Sequence, residues 1–192
     1  SRCDIRWTSS REILHLITQG GMTVGLHGSY YAREDDSYRA EKERVEQVLG
    51  KAVLCHRNHY LRFDPVRMWS QLESAGIRYD FSVGFNYRMG FRAGCGNAYR
   101  GFDIASNQPS SVIAIPLLFM DTMVLGRDPA VILPELRKAL EAARQVNGCV
   151  SLLFHPESFL IEPRLFPFFE SVLQLCKEMG ADMSGRLPSL GR

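Results

Sequence analysis

Hydrophobic and polar positions come in alternating blocks along the chain, some with helical spacing and some as short apolar runs. Thr8-Ser9-Ser10 followed by Glu12 reads as a helix cap, because a side-chain oxygen there takes up backbone N–H groups that lack helical partners. Ile13, Leu14 and Ile17 give that helix an apolar face, and Gly20-Gly21 stops it. Met22 to Leu26 then reads as a short strand. A second helix over Tyr38 to Leu49 places Val45, Val48 and Leu49 on one side, and Ala52 to Cys55 reads as the next strand. Pro65 opens a third helix with Val66, Trp69 and Leu72 facing inward and Gly76 after its end. Ile77 to Phe81 is again strand-like. From Gly84 to Pro109 the pattern dissolves into Gly, Asn, Arg and aromatics, a long irregular stretch of the kind that carries function or mobility.

Val112 to Met120 is apolar enough for a buried strand, with Pro116 demanding a bulge or an edge because it has no N–H to donate. Asp128-Pro129 opens a helix with Ile132, Leu136, Leu140 and Ala143 on one face. Cys149 to Phe154 is the clearest buried strand. The last helix, from Pro163 to about Gly180, presents Leu165, Phe168, Phe169, Val172, Leu173 and Cys176 at helical spacing. Strand and helix taking turns from end to end predict an α/β fold with a largely parallel sheet, open or curled into a barrel. With no repeat, linker or low-complexity segment, one domain is expected over 1–192.

Composition narrows the function classes. Hydrophobic residues make up 45% of the 192 and charged residues 23%, enough for a core without staples, which excludes disordered and disulfide-framework readings. A net charge of +2 from 23 basic and 21 acidic residues excludes a nucleic-acid partner bound through bulk charge. No apolar run approaches the roughly 20 residues of a membrane span, and Ser1-Arg2-Cys3-Asp4 is not a signal peptide. The five cysteines are scattered singly with no CxxC pair, which argues against a zinc ribbon and for reduced thiols in a cytoplasmic compartment.

Ligands of parallel α/β folds bind beyond the carboxyl ends of the strands. Polar residues collect there. Met22–Leu26 runs into His27-Gly28-Ser29-Tyr30-Tyr31, and Ala52–Cys55 into His56-Arg57-Asn58-His59-Tyr60. Asp80, Asp121 and His155 close the later strand candidates. Four of the five histidines lie at or just after strand ends, and convergent polar groups are what a hydrolytic or metal site needs.

Gly25-Leu-His-Gly-Ser-Tyr30, Arg57-Asn-His-Tyr60, Tyr79-Asp80, Gly90-Phe-Arg-Ala-Gly94, Met120-Asp121 and Leu153-Phe-His155 together resemble the polysaccharide deacetylases of the NodB-homology type, carbohydrate esterase family 4. The resemblance implies a distorted (β/α) barrel and removal of acetyl groups from an N-acetylated saccharide with a divalent metal, zinc first. His27 matches the first histidine of the family's metal motif. The second position of that motif holds Tyr31, and His59, standing where the family has proline, is the candidate replacement ligand. Arg57 and Tyr60 match residues that orient the catalytic base and help form the oxyanion site, and His155 matches the general acid. Asp80 and Asp121 are candidates to orient His155 or Arg57.

The family's first motif, a strand ending in an Asp pair, has no counterpart before His27. The expectation is therefore either a piece of a longer enzyme or a lineage that lost the element, with a barrel edge left open to self-association. Arg92 suits gripping a substrate hydroxyl or carboxylate, or pairing with a neighbouring acid. Tyr30, Tyr31 and Tyr60, with Phe85, Tyr87 and Phe91, suit stacking on a sugar or capping the barrel mouth. Two readings of different class stand: a metal-dependent deacetylase, and a non-catalytic relative that binds a carbohydrate or partner through the same pocket.

Overall fold

A computed structural model describes residues 8–30, 32 and 37–190, with the backbone alone for 8–10. The chain divides into two compact units, 1–82 with 100–114, and 83–99 with 115–192. It passes from one to the other at 82/83, 99/100 and 114/115, so no linker marks the division in the composition.

The first unit holds helices α1 (Thr8–Gln19), α2 (Ser37–Leu49) and α3 (Met68–Ser74) and strands β1 (Leu26–Gly28), β2 (Cys55–Asn58), β3 (Tyr79–Asp80), β4 (Tyr99–Asp103) and β5 (Gln108–Ala114). One five-stranded sheet runs in the order β1-β2-β3-β5-β4. The β1/β2, β2/β3 and β3/β5 pairs are parallel, with Leu26 opposite His56, His56 opposite Asp80, and Asp80 opposite Ala114. Val53, Met68, Trp69, Leu72, Ile77 and Val112 form its buried apolar core. Gly101 lets β4 cross the Trp69 indole, since a Cβ there would sit 2.4 Å from Trp69 Cδ2. Glu73 ties α3 to β5 by accepting from Ser110 Oγ at 3.0 Å and Ser111 N at 3.2 Å.

The second unit holds β6 (Leu117–Met120), α4 (Pro129–Gln145), β7 (Ser151–Leu153), α5 (Pro156–Ile161) and α6 (Leu165–Glu178). β6 and β7 form a separate parallel pair with a register break between Leu117 and Phe119. Phe119 meets Phe154 at 5.6 Å and Phe168 at 5.8 Å between ring centroids, which builds an aromatic core under α6. Asp128 caps α4 by accepting from Ala130 N at 2.9 Å, with Pro129 in its first turn. The irregular segment 83–99 is laced to the two strands. Leu117 N donates to Val83 O, Gly90 N to Leu118 O, and Cys149 N to Gly96 O.

The α/β class and the mostly parallel sheet agree with the pattern read along the chain. Three details are corrected. The strands expected at Met22–Leu26 and Ala52–Cys55 lie later, at Leu26–Gly28 and Cys55–Asn58, so His27, His56 and Arg57 stand within them rather than after them. The single strand expected over Val112 to Met120 is broken at Ile115-Pro116 into β5 and β6, because the proline cannot donate to a ladder. Those halves belong to different sheets, so the strand ends do not all open from one sheet. No closed barrel is present among the described residues.

Among the described residues no helix is long and apolar enough to cross a membrane. Burial pushes the thiols of Cys55 (to about 11), Cys149 and Cys176 up, as suits packed, unreactive cysteines.

Candidate functional site

The first unit assembles two histidines where β1 and β2 lie side by side. His27 is opposite Arg57 in the register, and its Nδ1 lies 3.0 Å from the Arg57 carbonyl oxygen. A carbonyl only accepts, so Nδ1 carries the proton and Nε2 presents a lone pair. His59 Nδ1 stands 3.0 Å from that Nε2, with ring centroids 5.1 Å apart and planes at 69°. Desolvation holds the His27 pKa below its ordinary value against the Arg57 carbonyl, which raises it; His59, Arg57 and His56 lower it further. The ring is thereby kept neutral, the form a ligand or proton acceptor needs.

His59 starts a tight turn, His59–Leu61, in which Tyr60 (φ 56°) and Leu61 (φ 51°) are both left-handed. That costs about 1–2 kcal/mol for each non-glycine residue, so the turn must be held from outside. It leaves Tyr60 67% exposed, its ring edge-on to Tyr30 at 6.1 Å and to His59 at 4.4 Å. Arg62 backs Tyr30, donating to its carbonyl at 2.7 Å and lying 4.5 Å from its ring centroid. Arg57 donates from Nε to Phe81 O at 3.2 Å and lies over the Phe81 ring. Burial pulls its guanidinium pKa down while Asp80 pulls it up.

Asp80 is fully buried, with both carboxylate oxygens bonded inside the unit. Oδ1 accepts from His56 Nδ1 at 2.8 Å and Ser82 Oγ at 2.7 Å, and Oδ2 accepts from Ser82 N at 3.0 Å. Its bonds thus go to His56 and Ser82. Sequence reasoning places His56 and Asn58 in the polar run at the second strand's end but gives no role to them or to Ser82. A signal for them exists in the two-residue period of strands, which puts His56 with Asn58, and Asp80 with Ser82, on one face. Gly28 completes this layer. A Cβ there would lie 2.8 Å from both Asn58 Oδ1 and His56 Nε2, so only glycine lets β1 come this close.

The second unit holds a single histidine, His155. Asp121 follows β6 directly and is fully buried. Its Oδ1 accepts from His155 Nδ1 at 2.7 Å and its Oδ2 from the His155 backbone N–H at 2.6 Å. His155 sits between β7 and α5 with its side chain 32% exposed, so Nε2 is its free nitrogen. Arg92 is exposed within the Gly90–Gly94 loop, and Tyr31 lies outside the described residues.

The chemistry of the donor set bears on a divalent metal. Two nitrogens bound to one tetrahedral zinc at about 2.0–2.1 Å would lie roughly 3.3–3.4 Å apart, a few tenths beyond the His27–His59 separation. His59 would also have to move its proton to Nε2. The spacing is close to that of two ligands on one ion, while as the pair stands the His27 Nε2 lone pair is taken up by the His59 Nδ1–H. Among the described residues no group of three or more His, Cys, Asp and Glu is assembled that could hold an ion.

No family model matches the chain. No curated protein matches it in sequence. Among solved structures, the crystal structure of a "putative polysaccharide deacetylase" from Mycobacterium smegmatis matches with a TM-score of 0.62 at 17% identity, over 92% of this chain and 63% of that one. The likeness shows a shared fold, and this chain spans under two thirds of that protein's length.

Proposed function

We propose that this chain carries the site of a deacetylase-type hydrolase that removes acetyl groups from an N-acetylated saccharide. The observation that carries the reading is the His27–His59 convergence. One imidazole, tied through Nδ1 to a backbone carbonyl, has its Nε2 3.0 Å from Nδ1 of a second imidazole, near the spacing of two ligands on one ion, in a fold shared with a protein named as a polysaccharide deacetylase.

In this reading His27 and His59, with the His59 proton moved to Nε2, would hold a divalent cation, zinc first, which would supply a Lewis acid and lower the pKa of water toward neutrality. By resemblance to the family His155 is assigned the proton for the departing amine, and within its own unit Asp121 keeps Nδ1–H bonded and would steady an imidazolium. Tyr60, beside Tyr30, offers an exposed ring to the face of a sugar. Asp80, fully buried, and Arg57, half-buried, fix the strand ends rather than touch substrate. Arg92 and Tyr31 are assigned to substrate binding on residue chemistry, a guanidinium flanked by glycines and an aromatic ring suited to a sugar face.

The test combines calorimetric zinc titration with acetate release from an N-acetylglucosamine oligomer, on the full-length protein. His27→Ala and His59→Ala should each weaken zinc binding strongly. His155→Ala should leave zinc binding intact and lower acetate release by about 10²–10⁴-fold. Equal loss of zinc binding from all three, or no zinc binding by the parent, would overturn the reading. Sugar binding that persists without acetate release would favour the non-catalytic carbohydrate-binding alternative, which the exposed Tyr30–Tyr60 pair also suits.

A further inference from the structure

We propose that Asn58 is a positioning residue, clamped from both sides so that the left-handed turn after it delivers His59 Nδ1 to His27 Nε2. The inference rests on the reading above that the two imidazoles form the working site. On one side, the Asn58 backbone N–H donates to Ser82 Oγ at 2.9 Å, and that hydroxyl is held by Asp80, which His56 also grips. On the other side, Asn58 Nδ2 donates across the turn to Arg62 O at 2.8 Å. The same amide nitrogen meets the Tyr38 hydroxyl at 3.0 Å and Met68 Sδ at 3.1 Å, and Tyr38 and Met68 are buried.

Between these fixed points run His59, Tyr60 and Leu61, two of them at positive φ. The Arg62 N–H donates to His59 O at 3.3 Å across the turn. Such a turn has little reason to persist on its own, since each left-handed residue prefers another basin. A side-chain amide can both accept and donate, and bridging from residue 58 to the carbonyl of residue 62 requires the donor. Aspartate has the same shape and lacks it. The layer from His56 through Asp80 and Ser82 to Asn58 therefore transmits the sheet register to the orientation of one imidazole.

Nitrogen NMR of the histidine side chains reads this directly, because an N–H···N bond between His27 and His59 fixes the tautomer of both rings. Asn58→Asp should abolish that signature and, where the parent binds zinc, weaken zinc binding by about 10–100-fold, the usual effect of losing an outer partner of a ligand. Ser82→Ala should act in the same direction more weakly, and Ser82→Thr, which keeps the hydroxyl, should restore the parent signature. Leu72→Ala serves as the control, a core change that lowers stability and should leave the imidazole signals in place. Should Asn58→Asp fail to fold, Ser82→Ala against Ser82→Thr decides alone. Folded Asn58→Asp or Ser82→Ala protein with parent imidazole signals would overturn the inference. A parent that shows the paired signature and binds no zinc would sink the metal reading and leave this one standing.

Discussion

Each unit of the molecule contains a histidine gripped by a carboxylate, and the two pairs are nearly superposable in chemistry. His56 Nδ1 meets Asp80 at 2.8 Å, and His155 Nδ1 meets Asp121 at 2.7 Å. Both carboxylates are fully buried and both accept a backbone N–H as well, from Ser82 in one case and His155 in the other. The difference lies at the far nitrogen. His56 is sealed in, and its Nε2 has no hydrogen-bond partner, facing the space that Gly28 leaves beside Asn58. His155 keeps a third of its side chain open, so its Nε2 can meet a ligand. The same pair thus serves as a girder in one unit and as a candidate proton donor in the other. Access to one ring atom separates the roles.

The contrast breaks most sharply at the carboxylates. Asp80→Ala leaves His56 and Ser82 with unpaired buried donors and should cost about 3–5 kcal/mol in denaturant unfolding, the range for removing one partner of a buried pair. Asp121→Asn keeps the shape at the open pair but offers an N–H where an acceptor is needed. It should lower acetate release by roughly 10²-fold or more while costing less stability than Asp80→Ala. If the two variants lost equal stability and equal activity, burial would not distinguish the pairs. Gly28→Ala tests the sealed side from the opposite strand. Its Cβ would press on Asn58 Oδ1 and His56 Nε2, and overpacking of this kind costs about 1–3 kcal/mol. A neutral result by thermal melting would mean that β1 yields readily.

The smallest expected effect is a pH dependence. The His27 pKa is lowered by desolvation, so the unfolded chain binds more protons than the folded one between the lowered value and 6.5. Within that window stability should rise with pH, and it should be flat above it. The His27–His59 bond should survive a fall through pH 6.5 and give way only below the lowered pKa. Histidine proton shifts followed across a pH titration check this, and a midpoint above 6.5 for His27 would contradict it.

The helices were the legible part of the sequence. α4 was marked by Asp128-Pro129 and α6 by its aromatic and aliphatic face, since both follow from spacing within one segment. Two strands, β1 and β2, lie later than the apolar runs that predict them, while β3 and β7 fall inside the stretches expected at Ile77–Phe81 and Cys149–Phe154. Apolar runs such as Ala52–Cys55 drew the eye, whereas β2 is Cys-His-Arg-Asn, a run whose polar members are paid for by hydrogen bonds that hydropathy does not register. β4 was hidden in the stretch read as irregular, and α5 is only six residues long. At the site, the sequence supplied His27, His59, Asp121 and His155 as candidates. The bond from His56 to Asp80 spans 24 residues and exists only through parallel pairing of β2 with β3, a long-range fact that no local pattern encodes.

The threefold passage of the chain between units governs how the protein can be made and taken apart. Residues 1–82 leave β3 without its neighbour β5, which follows only after 83–107. During synthesis the first sheet therefore waits for a stretch that belongs mostly to the other unit, and neither unit can finish before the other has begun. No single proteolytic cut releases either unit whole. A fragment starting at Ile115 would retain β6 yet lose Val83 and Gly90, whose backbone groups bond to Leu117 and Leu118. Circular permutation keeps this alternation, so dissecting the protein into its two units needs rewiring, with the two segments of each unit joined directly by new loops.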